Sequence, residues 1–349
     1  MPKRVWTKEE EEILKQHYLK PNGPKDLLKL LPQKRMSQIL DKGKRMGFIR
    51  FIPYIKNEIF FEIPNLINTN LAAFLGSDGC ICDKRKWGQP SIRLGISTKD
   101  LKHLEKIKEL TNYNGKMYFV KHIDKKIYSS SNDKWYNCNT ESCHLVFNKA
   151  QKWCDDLWNN WNIGPRKSHT LMPPTKLKTI ELKLSYISGA IDGDGHISLI
   201  SEPNHNFGSS LKIGIIGTTE LLQWIKETFD YLTPYDNVRS IVKTRYKNIC
   251  TYAISGIRAY LISKCILSLD IPRLNRKWNN ARNFIQRIEN EPLSDVMINK
   301  INNRVSWELL DFYKNHNIFI PSFIKNPPDP KINLISFQNL PNINVIENL

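Results

Sequence analysis

The sequence lacks the features that mark membrane and secreted proteins. No stretch approaches the roughly 18 consecutive apolar residues that a membrane-crossing helix needs. The first residues, M-P-K-R-V-W-T-K, do not follow the pattern of a secretory signal peptide. We therefore expect a soluble intracellular protein with no membrane partner, working in bacterial or phage-infected cytoplasm or in an organelle.

The cysteines also lack any metal-binding or disulfide pattern. There are seven, at positions 80, 82, 138, 143, 154, 250 and 265, and no two of them form a C-x-x-C pair. An odd number without paired spacing argues against a disulfide framework, and the missing C-x-x-C argues against a zinc ribbon. Reduced thiols are expected.

Acidic residues are scarce relative to basic ones. The chain has 52 Lys and Arg against 34 Asp and Glu, a formal net charge of +18 over 349 residues. Because Lys and Arg release condensed counterions when they bind phosphates, this excess points to a polyanionic partner, with nucleic acid first. On composition alone, solvated surface charge with no partner stays open as the alternative.

What the sequence does contain is a stretch that ends in carboxylates and glycines, S-Y-I-S-G-A-I-D-G-D-G at residues 185–195. Apolar residues surround the predicted helix on most sides, which is typical of a buried helix. Gly189 and Gly193 lie four residues apart on one face, a spacing that lets another backbone approach closely. A partner helix is therefore predicted.

Residues 70–79, N-L-A-A-F-L-G-S-D-G, are the predicted partner. Ala72 and Gly76 repeat the four-residue interval, and the run ends in Asp78 as the later one ends in Asp194, 194 − 78 = 116 residues on. Two buried helices that each end in Asp would bring two carboxylates together, an arrangement suited to divalent cations.

A second pair of similar segments follows these helices, one segment after each helix. The segment I-G-P-R-K-S-H follows the first and I-P-R-L-N-R-K-W follows the second. Lys167 lies 167 − 78 = 89 residues after Asp78, and Lys277 lies 277 − 194 = 83 residues after Asp194. This regularity predicts a tandem duplication. Periodicity predicts the order αββαββα within each copy.

Both helical stretches resemble the signature helix of the LAGLIDADG homing endonucleases. The second reads I-S-G-A-I-D-G-D-G at residues 187–195, and the first, L-A-A-F-L-G-S-D-G at 71–79, keeps Leu, Ala, Asp and Gly. The resemblance covers roughly residues 60–285 and implies an α+β fold in which two tandem αββαββα repeats form a pseudo-twofold saddle. Two core helices with acidic ends and no such relationship are the structural alternative.

The resemblance implies a monomeric endonuclease that cuts both strands of a long double-stranded DNA target. It assigns Asp78 and Asp194 as catalytic metal ligands, with backbone oxygens of the preceding Ser77 and Gly193 nearby. Hard oxygen ligands, retained waters and a phosphate suit Mg²⁺, which we expect as the cofactor.

Lys167 and Lys277 match the family's basic residue after the last helix of each half. A cation there would orient water or stabilise charge on the scissile phosphate, and plain phosphate contact is the alternative. Asp192 is expected to pack at the helix end and not to bind metal. His169 and His196 are interpreted as bystanders.

The predicted strands carry basic residues on their polar face, which we expect to contact the major groove. In the alternative, each of them only keeps the sheet soluble. The candidates are Lys84, Arg85, Lys86 and Arg93 in the first copy and Lys212, Arg239, Lys243, Arg245 and Lys247 in the second.

Residues 1–50 predict a separate bundle of three helices. Thr7 and Glu10 form a capping-box pattern, and Ser37 is the predicted cap of the third helix. The segments W-T-K-E-E-E-E-I-L and M-S-Q-I-L-D-K-G-K-R-M-G-F are similar to Myb/SANT-like helix-turn-helix domains, which implies that the third helix reads DNA. A protein-binding bundle is the alternative. The expected contacts are Lys42, Lys44 and Arg45.

The predicted organisation has five parts: the helix-turn-helix domain 1–50, a linker 51–62, repeats 63–174 and 175–290, and a C-terminal helical extension and tail 291–349. Two other functions stay open at this point. The chain could be an RNA maturase that binds intron RNA and assists splicing, or a DNA-binding protein of the same fold that does not cleave.

Overall fold

The structure is a computed structural model, and it describes residues 6–20, 23–48, 56–82, 90–129, 134–201, 209–234, 240–246 and 248–327. Across these ranges the chain forms twelve α-helices and two antiparallel four-stranded sheets, so the predicted α+β class is confirmed. The chain divides into two compact units, Met1–Tyr54 and Ile55–Leu349. Among the described helices, none is both long and apolar enough for a bilayer.

The smaller unit contains α1 (Lys8–His17), α2 (Gly23–Leu30) and α3 (Met36–Arg45). The predicted capping box is present, because the Thr7 N–H donates to Glu10 Oε2 at 3.0 Å and the Glu10 N–H donates to Thr7 Oγ1 at 3.2 Å. The predicted cap at Ser37 is wrong. Arg35 precedes α3 and its N–H donates to Gln38 Oε1 at 2.8 Å, which leaves Ser37 inside the first turn.

The larger unit begins with one αββαββα series, as predicted. Its sheet has the strand order β1-β2-β4-β3 with all neighbours antiparallel. The elements are α4 (Leu66–Ser77), β1 (Gly79–Cys82), β2 (Ser91–Ser97), α5 (Leu101–Leu110), β3 (Tyr118–Ser129), β4 (Lys134–Phe147) and α6 (Gln151–Trp161).

A second αββαββα series follows and repeats the topology, with the strand order β5-β6-β8-β7. Its outer strand spans only two described residues, whereas β3 spans twelve. The two repeats therefore differ in the length of their outer hairpin. The elements are α7 (Ile180–Asp194), β5 (Gly195–Ser201), β6 (Ser209–Gly217), α8 (Thr219–Leu232), β7 (Val242–Lys243), β8 (Cys250–Ser255) and α9 (Ile257–Ser268).

Three further helices complete the described chain: α10 (Asn275–Asn290), α11 (Asp295–Asn302) and α12 (Trp307–Asn315). The sequence predictions did not include α10, although it carries Lys277. Its buried residues Trp278, Ala281, Phe284 and Ile288 follow a spacing of three or four, which is the signal that would have predicted it.

Side-chain alternation gives each sheet a helix-covered face and an opposite face, here called the open face. In β2 the covered positions Ile92, Leu94 and Ile96 are buried, and Arg93 between them lies on the open face. In β6 the buried residues Leu211, Ile213 and Ile215 place the intervening Lys212 on the open face. The alternation therefore separates one set of basic side chains from the core.

Candidate active site between the two signature helices

The helices α4 and α7 pack directly against each other. The Ser185 hydroxyl donates to the Leu66 carbonyl oxygen at 2.6 Å, and Asn70 Nδ2 donates to the Ser185 carbonyl oxygen at 3.3 Å. Further along, Gly189 of α7 meets Ala73 of α4. Since the contacts advance along both helices together, the helices are parallel and their C-terminal ends lie at the same end of the pair.

The two glycines of α7 permit this close approach, as predicted. A Cβ added to Gly189 would overlap the Asn70 carbonyl oxygen and lie 2.9 Å from Ala73 Cβ. A Cβ added to Gly193 would overlap Ser77 Cβ and lie 2.7 Å from its Oγ. Glycine is therefore required at both positions by the partner backbone or side chain, not by backbone dihedrals.

The contact surface of α4 is not the predicted one. Ala72 and Gly76 were expected to face the partner helix, but α7 meets Asn70, Ala73 and Ser77 instead. A Cβ on Gly76 would point toward Ile163 and Leu171, at 3.3 Å or more. The four-residue interval identified the helix correctly but assigned the wrong face.

The parallel packing brings Asp78 and Asp194 together. Asp78 follows the last residue of α4, Asp194 ends α7, and both carboxylates reach solvent. Partial burial raises the pKa of both groups above the ordinary value for Asp, and the negative charge of Asp194 raises the pKa of Asp78 further. Two carboxylates that repel each other in this way form a local negative centre in a basic protein.

Two lysines offset that negative charge, each acting most strongly on the carboxylate of the other repeat. The charge of Lys167 is the largest influence lowering the pKa of Asp194, and the charge of Lys277 is the largest lowering that of Asp78. Burial lowers the pKa of both lysines. Each half of the centre is therefore composed of residues from both repeats.

The lysine amines differ in how firmly they are held. Lys167 Nζ donates to the Ser77 carbonyl oxygen at 3.1 Å. Lys277 Nζ lies among four carbonyl oxygens at the end of α7 and caps the helix terminus there. Its three N–H groups are shared among the carbonyl oxygens of Ile191 at 2.9 Å, Asp192 at 2.6 Å, Gly193 at 2.9 Å and Gly195 at 2.7 Å.

Asp192 holds the segment that carries Lys277. Its buried carboxylate accepts the Leu274 backbone N–H at 3.1 Å and the Trp278 indole N–H at 2.8 Å. Burial raises the pKa of this carboxyl to about 7. The first repeat has Gly76 at the matching position, which has no side chain to hold the segment of Lys167 in this way.

A cavity of about 420 Å³ opens beside Asp194, and Ser77, Lys167, His169 and Tyr246 also lie on its wall. Its wall contains residues of both repeats. Neither sequence analysis nor composition had singled out Tyr246. His169, one of the two histidines interpreted as bystanders, also lies here.

His196, the other histidine, is exposed, and its ring lies against Gly214 of the neighbouring strand. Partial burial lowers its pKa, with the charges of Lys212 and Lys277 adding to the effect. A neutral imidazole is therefore expected at neutral pH. This position on the open face, beside the carboxylate centre, is consistent with solvent or phosphate contact.

The donors at this centre fit a hard divalent cation. Asp78 and Asp194 supply carboxylate oxygens, and the Ser77 and Gly193 carbonyl oxygens, which now accept from the lysine amines, lie beside them. Within the described ranges, no group of three or more His, Cys, Asp and Glu side chains could chelate a metal alone. Mg²⁺ needs no such cage, because it keeps several waters and binds through one or two carboxylates and a phosphate.

The structure sorts the predicted DNA-contacting residues into different environments. Arg93 and Lys212 lie on the open faces. Lys243 does not, because it stands opposite buried Cys250 and so shares the helix-covered side. Arg245 stacks on Tyr246, with its guanidinium carbon 4.9 Å from the ring centre. The candidates outside the described residues are Lys84, Arg85, Lys86, Arg239 and Lys247.

In the smaller unit, the three α3 residues predicted to contact DNA also lie in different environments. Lys42 forms an ion pair with Glu11 of α1, so its charge is partly neutralised within the bundle. Lys44 and Arg45 are exposed in the last turn of the helix. Those two side chains remain the better candidates for nucleic-acid contact.

Comparison with known proteins gives a fold-level likeness at most. No protein-family model and no curated protein matches the chain. Among solved structures, the I-LtrWI LAGLIDADG homing endonuclease bound to target DNA is 12% identical, with a TM-score of 0.41, covering 71% of this chain and all (100%) of that one.

Two other solved structures are similarly distant. The LAGLIDADG meganuclease I-AabMI bound to uncleaved DNA is 14% identical, with a TM-score of 0.37, covering 72% of this chain and 98% of that chain. I-SmaMI bound to an uncleaved DNA target in the presence of calcium ions is 12% identical, with a TM-score of 0.41, covering 68% and 97% respectively. With identities and scores this low, function has to be argued from the chain's own residues.

Proposed function

We propose that the chain is a site-specific double-strand DNA endonuclease of the LAGLIDADG homing type, acting as a monomer with Mg²⁺. The observation that carries the proposal is the parallel packing of α4 and α7. It delivers Asp78 and Asp194 to one solvent-accessible point, with Lys167 and Lys277 beside them. A duplicated chain supplies one carboxylate and one lysine per half, which matches the two strands of a duplex.

Binding of the duplex is assigned to the open faces of the two sheets. Arg93 and Lys212 occupy these faces, and the overall charge of +18 favours a polyanion. We assign the unit Met1–Tyr54 to additional DNA contact through the exposed end of α3. Together the two sheets would form the saddle over an extended target.

The side chains of the centre have distinct tasks. When bound, Mg²⁺ supplies charge relief at the phosphate and makes an attacking water more acidic. Asp78 and Asp194 would hold the cation. Its positive charge would lower their pKa values, which burial raises for both groups and the charge of Asp194 raises further for Asp78. The buried ammonium groups of Lys167 and Lys277 stabilise negative charge that develops on the phosphate.

Strand-resolved cleavage tests the proposal. The substrate is a plasmid that carries the uninterrupted version of the locus where the gene resides, incubated with Mg²⁺ and protein. Wild type should give linear product, whereas Asp78→Asn and Asp194→Asn should give no linear product. Exposed Asp295 of α11 provides the matched control, since Asp295→Asn removes a carboxylate far along the chain.

Other results of the same assays would support one of the two alternative functions or overturn the proposed one. Tight binding of the duplex by wild type without any cut would identify a non-cleaving DNA-binding protein. Faster splicing of the host intron RNA, unchanged by Asp78→Asn and Asp194→Asn, would identify a maturase. Full double-strand cutting by both variants would overturn the assignment of the two carboxylates.

A further inference from the structure

The second sheet carries a row of methyl-bearing side chains that crosses three of its strands. Ile216 of β6 stands directly opposite Thr251 of β8, and Thr251 stands directly opposite Val242 of β7. Residues that stand opposite each other in antiparallel strands have their side chains on the same face of the sheet. Ile216, Thr251 and Val242 are here called the methyl row.

The sequence neighbours of the methyl row determine which face it occupies. Ile215 and Tyr252, each adjacent to a member of the row, are buried. Ile241, which precedes Val242, packs against the same core. Because successive side chains of a strand point to opposite faces, the methyl row lies on the open face.

Two members of the methyl row are aliphatic side chains that remain in contact with solvent. Ile216 is 45% exposed and Val242 is 58% exposed. Phosphate oxygens bind cations and N–H or O–H donors, so these two side chains have no role in holding the DNA backbone. The apolar group that base edges present in the major groove is the C5-methyl group of thymine.

The basic residue of the same strand lies at a suitable distance from the row. Lys212 is on the open face four residues before Ile216, which is about 13 Å along a strand. The major groove is about 12 Å wide. Strand β6 can therefore place Ile216 at a base edge while Lys212 contacts a phosphate at the border of the groove.

The first repeat has a different row at the matching place. The strand registers that start from β1 and from β5 align Ile216 with Gly95. Gly95 stands opposite His144, and His144 stands opposite Tyr118. These three residues include no aliphatic side chain, and the imidazole and the phenol carry hydrogen-bonding groups. The two repeats therefore present different chemistry to the two halves of a target.

From these registers we infer that Ile216 and Val242 are specificity-determining residues, which contact thymine methyl groups in the half of the DNA target that the second repeat covers. The inference rests on the proposed function and deepens it, because it names the base that this surface recognises. It also predicts that the target is asymmetric at this level, since the first repeat has no matching aliphatic pair.

Replacing thymine with uracil removes only the C5-methyl group, so the test compares two versions of one duplex. The probe spans the uninterrupted locus and is amplified with dTTP or with dUTP, and binding is measured without Mg²⁺ so that cleavage plays no part. The full-length variants are Ile216→Ser, Val242→Ser and the double variant. The control, Leu199→Ser/Val296→Ser, removes two exposed aliphatic side chains that lie away from the open face. Melting temperatures establish that each protein is folded.

The measured quantity is the ratio of the affinities for the thymine duplex and the uracil duplex. Burial of one methyl group against an aliphatic side chain changes an affinity about 4-fold. Each single variant should therefore reduce the ratio about 4-fold and the double variant about 16-fold, whereas the control should keep the wild-type ratio. The same ratio in wild type and in the double variant would overturn the inference, and the proposed function would stand because both proteins still bind the duplex.

Uracil confined to one side of the insertion point, where the gene interrupts the locus, locates the contact. The reduced ratio should appear with one side alone, because the methyl row belongs to one repeat. An equal reduction from both sides would overturn the assignment to the second repeat. If wild type binds neither duplex, the proposed function is overturned together with the inference.

Discussion

Substituting Gly189 with Ala isolates the helix contact on which the candidate site depends. The added Cβ would lie 2.9 Å from Ala73 Cβ and overlap the Asn70 carbonyl oxygen. Because carbon atoms prefer separations of about 3.5–4.0 Å, α4 and α7 must part by about 0.6 Å or more. The obstructing oxygen belongs to the backbone, so no side-chain rotation can relieve the overlap.

Gly76→Ala is the matched control, since Gly76 lies within α4 and its added Cβ would meet only Ile163 at 3.3 Å and softer contacts beyond. Both substitutions gain about 1 kcal/mol of helix propensity. Because both variants gain it, the helix propensity does not affect the difference between them. Gly189→Ala should therefore have an unfolding free energy lower than that of Gly76→Ala by the cost of overpacking, about 1–3 kcal/mol. Gly76→Ala should be neutral or stabilising.

Urea unfolding of both variants measures this difference, and cleavage below the unfolding range measures the effect on the site. Parting the helices also separates Asp78 from Asp194, and a misplacement near 1 Å can cost about 100-fold in rate. Gly189→Ala should therefore lose activity while still folded, and Gly76→Ala should keep it. Equal stability and equal cleavage in the two variants would refute the close packing of α4 on α7.

Three further substitutions test individual contacts. Gly193→Ala should destabilise the protein, because the added Cβ overlaps the Ser77 side chain. In a double-mutant cycle, adding Ser77→Gly should restore stability, and a double variant as unstable as Gly193→Ala alone would contradict the contact. The buried Asp192 carboxyl, with its pKa raised to about 7, should make wild-type stability fall between about pH 4 and pH 7 at up to about 1.4 kcal/mol per pH unit. Stability falls because, in this pH range, the folded state holds a proton on Asp192 that the unfolded chain has released. Asp192→Asn should therefore make stability less dependent on pH, and the same pH dependence in wild type and variant would contradict the raised pKa. Lys277→Met should lower the unfolding free energy by about 1.5–3 kcal/mol, and by more than Lys167→Met does. The reason is that four carbonyl oxygens share the Lys277 ammonium, whereas one carbonyl oxygen accepts from Lys167. Calorimetry that shows the reverse order would contradict the helix-capping role of Lys277.

The sequence predicted the two buried helices and their duplication because both signals are local. Gly189 and Gly193 lie at helical spacing, and the same pattern of glycine, alanine and aspartate recurs at residues 70–79. The choice of face on α4 failed, since which of Ala72, Ala73 and Gly76 meets the partner depends on the crossing geometry. That geometry is set by the whole core and not by spacing.

The environment of the lysines was beyond sequence reasoning for a different reason. Lys277 was selected by its place after the second repeat, but its four carbonyl acceptors and the Asp192 anchor arise from contacts more than 80 residues apart in the chain. Likewise, Lys243 appeared to continue the basic open face, and only its pairing with Cys250 showed the opposite side. β7 spans only two described residues, too few for an alternation of apolar and polar side chains that would assign their faces.

The most direct test of the central claim is the Mg²⁺ dependence of thermal stability in wild type, Asp78→Asn and Asp194→Asn. The folded pKa of each carboxyl is raised above its unfolded value, so its ionised form destabilises the fold at neutral pH. Without metal, each Asn variant should melt above wild type, whereas Asp295→Asn should not.

Mg²⁺ at 100 times its dissociation constant should then stabilise wild type by about 2.7 kcal/mol. It should leave both Asn variants nearly unchanged, because each lacks half of a shared site. The same Mg²⁺ stabilisation in wild type and in both variants would contradict the claim that Asp78 and Asp194 hold a cation together.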